Sequence, residues 1–164
     1  MPVTAKRPIN ERIAVEIFTR LQRLEAGKED TIQLSEVIRP KRYATYTPKN
    51  LQVVLTQENP EPNPELNLVG NPPAVAYDQQ FNVRCHVLPS EHDPTSVDEL
   101  INLMTAEVIK EITSDNLWHT FNNLSIDASI GTIEQIDTDG SFDGANVPVT
   151  VTYRVSETDP YTTR

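Results

Sequence analysis

With a single cysteine, Cys85, in 164 residues, the chain has no intramolecular disulfide, and the alternating run around that residue reads as a strand carrying a small buried thiol. Glycine is scarce. Five glycines leave little material for a phosphate-cradling loop, and neither G-x-x-x-x-G-K nor G-x-G-x-x-G occurs. A G-x-S-x-G nucleophile elbow is also missing. His86, His92 and His119 lack the H-x-x-x-H spacing of a zinc site, and no C-x-x-C accompanies them. No apolar run approaches the roughly 18 residues of a membrane span. Met1 to Asn10 is too polar for a signal peptide. The expectation is a chain that stays in the cytosol where it is made, is not an enzyme and needs no cofactor.

Positive charge is the other deficit. The net charge of −10 argues against general affinity for nucleic acid, which depends on clustered Lys and Arg. Its distribution is uneven: residues 1–50 hold ten Lys or Arg and six Asp or Glu, for +4, whereas residues 51–164 hold four and eighteen, for −14. Such asymmetry serves solubility, or lets a basic segment of one copy meet an acidic surface of another.

What is present is periodic. Ile9, Ile13, Ile17, Leu21 and Leu24 recur at helical spacing and predict an amphipathic helix from Pro8 to Glu25, stopped at Gly27 and Lys28. Arg12, Arg20 and Arg23 then lie away from its apolar stripe. Short extended runs follow at Glu36 to Arg39, Arg42 to Thr47 and Leu51 to Thr56, and read as edge strands. Gln57 to Pro73 holds five of the thirteen prolines. It reads as a long exposed loop or an extended hairpin, because proline removes donors that a central strand needs.

Strict alternation marks the sheet. Phe81, Val83, Cys85 and Val87 predict one buried strand face; Leu124, Ile126, Ala128 and Ile130 predict a second, and Val147, Val149, Val151, Tyr153 and Val155 a third. Between them Val97, Ile101, Met104, Val108 and Ile112 predict a second helix from Ser96, with Ser96 and Glu99 as a capping box. Leu117, Trp118 and Phe121 are expected to close the core behind it. The sum is one α+β domain spanning 1–164: an antiparallel sheet of four to five strands, two helices on one face, the Pro-rich excursion at 57–73 and a C-terminal tail at 157–164.

Asp139, Ser141, Asp143 and Gly144 match the opening of a calcium loop, but its twelfth position is Thr150 in place of Glu and no helix flanks it. A polar connection between the last two strands accounts for the same residues. A calcium-binding or other cytosolic ligand-binding domain is therefore the minor alternative. The polar sheet face, with Arg84, His86, Asp127, Thr150, Thr152 and Arg154, is left for contact with neighbouring subunits, as are Arg12, Arg20 and Arg23 on the first helix and Asp159 and Tyr161 near the C-terminus.

The helix KRPINERIAVEIFTRLQRL, the strand FNVRCHV leading into SVDELINLMTAEVIKEI, and VPVTVTYRV followed by SETDPYTT resemble, in order and spacing, the tail terminator (tail completion) proteins of tailed bacteriophages. The resemblance spans nearly the whole chain. It implies a sheet with helices on one face and a homo-hexameric ring that caps the tail tube, ends tube polymerisation and provides the head-joining surface. The implied partners are tail tube protein and a head-completion or neck protein, at the tail-neck junction of a virion assembled in the host cytoplasm. DNA would pass through the ring without sequence-specific binding, and a pore lined with Asp and Glu would repel its phosphates. Another neck component or a tail tube subunit is the alternative of similar build.

Overall fold

A computed structural model describes residues 6–25, 32, 34–40, 44–137 and 141–164. The chain is α+β, with two α-helices and a mixed sheet of eight strands. Helix α1 spans Ile9–Gln22, and β1 (Glu36–Ile38), β2 (Gln52–Gln57), β3 (Glu61–Pro62) and β4 (Ala74–Val87) follow. Helix α2 spans Pro94–Ile112, and the chain ends in β5 (Asp127–Ile130), β6 (Glu134–Asp137), β7 (Asp143–Ser156) and β8 (Asp159–Thr163). Residues 157–164, read from sequence as a tail, thus carry a strand paired with β7. The expected stop at Gly27 and Lys28 lies outside the described residues, as do the first two residues of the Arg42 to Thr47 run. Its remainder, 44–47, forms no strand.

The organising unit is a ribbon of two 14-residue strands, β4 and β7, paired antiparallel from Ala74↔Ser156 to Val87↔Asp143. Helices α1 and α2 cover one face of it. Phe81, Val83, Cys85, Val87, Val147, Val149 and Val151 point into the core with Ile9, Ile13, Ile17 and Leu21 of α1 and Met104, Val108 and Ile112 of α2. Period-two alternation in the strands and helical spacing in the helices place these residues where the hydrophobic effect removes them from water. Burial also pushes the Cys85 thiol up to about 12, which keeps it protonated and inert. Ile126, expected inside, is exposed, although its N–H donates to the Thr152 carbonyl of β7 at 2.7 Å. Leu117 is exposed as well, and Phe121 alone of its cluster is fully buried.

The sheet is not purely antiparallel. β1 runs parallel to β2, Glu36↔Gln52 to Ile38↔Val54, and Tyr46, between them in sequence, meets His86 on the face opposite the helices. Pro40 stands two residues past the end of β1; without an N–H it cannot continue the parallel ladder beyond Leu55. The other side of β7 is shared end to end by β6, β5 and β8. Pro148 sits inside β7 where the chain passes from β5 to β6, and its carbonyl accepts from Gly131 N at 2.8 Å. Its missing donor therefore faces the break in that pairing, which is why a proline is tolerated in so long a strand.

Helix α2 starts two residues earlier than expected. Asp93 caps it in place of the Ser96–Glu99 pair: its carboxylate accepts from Thr95 N at 3.1 Å, and Pro94 takes the first helical position. Both outer edges are partly blunted. The Glu25 carboxylate accepts from Val37 N on β1, while on β5 Ala128 N donates to Asp127 Oδ1 at 2.9 Å and its carbonyl lies 3.0 Å from His119 Nδ1.

Candidate interaction surface

Strand parity places Arg84, His86, Asp127, Thr150, Thr152 and Arg154 on the sheet face away from the helices. They do not form an open polar field. His86 is 1% exposed, because Tyr46 from the β1–β2 crossover and Phe142 cover it. Tyr46 Oη lies 3.2 Å from Nε2, and the Phe142 ring stands edge-on with centroids 4.7 Å apart. Nδ1 has no hydrogen-bond partner among the described residues. Burial, reinforced by Arg84, pushes the imidazole down to about 4, so it is neutral at pH 7. Alternation assigned His86 to the right face but could not register the aromatic lid.

Arg20 also departs from expectation. It is 2% exposed. Its Nη1 donates to the Ile112 carbonyl at 2.7 Å, Nη2 meets Asp115 at 2.7 Å, Nε meets Glu16 at 3.0 Å, and the guanidinium lies over Phe121 at 5.2 Å. It is a clamp between the helices, not a surface contact. Arg23 is exposed, 4.0 Å from Glu111, and Arg12 and Arg84 are exposed without an ion pair among the described residues. Asp159 is engaged locally: it accepts from Tyr161 N at 3.0 Å and Thr162 Oγ1 at 2.6 Å, bonds that hold its carboxyl below the usual range, and Lys6 sits over the Tyr161 ring. Asp127 is exposed beside His119, 3.8 Å away. Of the calcium-loop residues, Asp139 lies outside the described residues, Ser141 precedes β7, and Asp143 is its first residue, paired with both Val87 and Asp137.

The most distinctive surface is the Pro-rich segment. It runs back along the first half of β4, where β3 pairs with Tyr77 and Asp78 and Leu68 bridges Ala74. Side chains fasten it. Glu58 accepts from Asn82 Nδ2 at 2.9 Å, and Asn82 accepts in turn from Asn146 at 3.0 Å. Asn63 donates to Asp78 at 2.8 Å, Asn67 accepts from Ala76 N at 2.8 Å, and Arg154 Nε donates to the Leu66 carbonyl at 2.7 Å. Arg154 therefore holds the arm in place. Beyond these ties Leu66, Leu68 and Val69 are exposed, Val69 completely. Their apolar run inside a polar, proline-rich string was the signal that alternation missed.

Next to the arm a cleft of about 740 Å³ opens between the start of α1 and the end of β2. Arg39 crosses it, bonding Glu11 through both nitrogens at 2.8 and 2.7 Å, and this pairing holds the Glu11 carboxyl below its usual range. Because Glu58 N bonds Gln80 O, the backbone groups of Gln57 point away from β4 and into this cleft, past the end of β1. No protein-family model matches the chain, and no curated protein matches it.

Proposed function

We propose that this chain is a phage tail terminator: a subunit of a homo-hexameric ring that caps the tail tube, ends its polymerisation and offers the surface to which the head or neck docks. Two things support this. One is the sequence resemblance. The other, which carries the structural side of the proposal, is the fastened arm with Leu66, Leu68 and Val69 turned outward. Apolar side chains left exposed on a segment tied to its own sheet suit burial against another protein. The partners on this proposal are further copies of the chain, tail tube protein and a head-completion or neck protein, with DNA only in transit.

Purified protein, alone and mixed with polymerising tube protein, tests it by light scattering and negative-stain imaging. Closed rings, and tubes whose growth stops when the protein is added, are the expected result. Tubes formed by this chain itself would identify a tube subunit, and binding at the portal side a neck component. A monomer at high concentration that leaves tube growth untouched would overturn the proposal.

A further inference from the structure

We infer that the ring contact is made by the acidic arm of one copy seated on the basic groove beside α1 of the next. The inference rests on the self-assembly proposed above and names its two surfaces.

The arm, Gln57 to Pro73, carries Glu58, Glu61 and Glu65 and no Lys or Arg. Glu58 is held by Asn82. Glu61 and Glu65 are exposed, with no ion pair among the described residues, and the apolar tip follows them. The groove is lined by Arg7, Arg12, Val15, Glu16, Asn122 and Leu124. It is a shallow cavity of about 290 Å³. Arg7 and Arg12 are exposed and make no ion pair among the described residues, while Glu16 pairs with Arg20 at 3.0 Å and Glu11 with Arg39 at 2.7 Å. No hydrogen bond or ion pair joins arm to groove within one copy among the described residues. Each surface presents charge and apolar area that the other complements. Contact between two different patches is head-to-tail, and such contacts close into rings when the rotation allows.

Charge reversal tests it on the full-length protein by analytical ultracentrifugation, with thermal melts confirming that each variant folds. Glu61→Lys with Glu65→Lys, and separately Arg7→Glu with Arg12→Glu, should each weaken association at least about tenfold. The two variants mixed should regain rings, since each arm then meets a groove of opposite charge. If the wild type assembles and the reversed variants assemble equally well, or if both fail and mixing restores nothing, the arm–groove contact is wrong while self-assembly stands. A wild type that stays monomeric removes both.

Discussion

Arg20 in the last turn of α1 donates to the backbone carbonyl of Ile112, the last residue of α2, at 2.7 Å across 92 positions of sequence. This one side chain satisfies a helix-end carbonyl, pairs with Asp115 and Glu16, and covers the Phe121 ring. Phe121 itself has φ of 40°, in the left-handed region that favours glycine, and Asn122 and Asn123 follow it there. The clamp therefore sits over a strained turn, held from within by Leu124 N on the Thr120 carbonyl at 2.9 Å and from above by this packing.

Arg20→Ala should lower unfolding free energy by about 2–3 kcal/mol, the scale of a lost charged hydrogen bond plus lost packing. Asp115→Asn, at a half-exposed partner, should cost under about 1 kcal/mol. Urea melts of the two variants compare them; equal costs would mean that the ion pair, and not the buried carbonyl bond, is what matters.

Acid should weaken the fold through His86. Its folded pKa is pushed from 6.5 down to about 4, so between those limits the unfolded chain binds the extra proton. Stability then rises with pH through that window and falls as pH drops from 6.5 toward 4, by up to about 1.4 kcal/mol per pH unit. His86→Gln removes this slope. Parallel stability curves for variant and wild type from pH 4 to 6.5 would contradict the assignment.

A Cβ added to Gly144 lies 2.0 Å from the Cys85 carbonyl oxygen, a rigid backbone atom of the paired strand. Gly144→Ala should therefore cost about 2–3 kcal/mol by forcing β4 and β7 apart. Gly131→Ala meets the Pro148 ring at 3.1 Å and its carbonyl oxygen only at an ordinary 3.7 Å, and should cost about 1 kcal/mol or less by the same measure. Thermal melts that rank the two in the opposite order would mean that the ribbon yields where its register says it is tightest.

Leu66→Ser, Leu68→Ser and Val69→Ser together should leave folding stability within about 0.5 kcal/mol, as expected of surface positions, while shifting the protein toward monomer in sedimentation. A large loss of stability would show that the tip packs on its own subunit.

Local periodicity was enough to identify both helices and the buried faces of β4 and β7, but in the run from Leu124 to Ile130 it placed Ile126 inside where the structure leaves it exposed. A strand that alternates Phe81, Val83, Cys85 and Val87 has one face to bury whatever its neighbours are. The Arg, His and Asp side chains named as contacts were harder to place, because exposure depends on what other elements lay over them. Tyr46 and Phe142 bury His86 from distant segments, and the end of α2 buries Arg20. β1 reads as a strand from sequence, but only its pairing with Gln52 to Val54 makes the sheet mixed. The sequence by itself thus determined which face of each helix and of the two long strands must leave water, since that follows from spacing along one element. The tertiary structure alone decided which polar groups go with them, since that depends on partners tens of residues away.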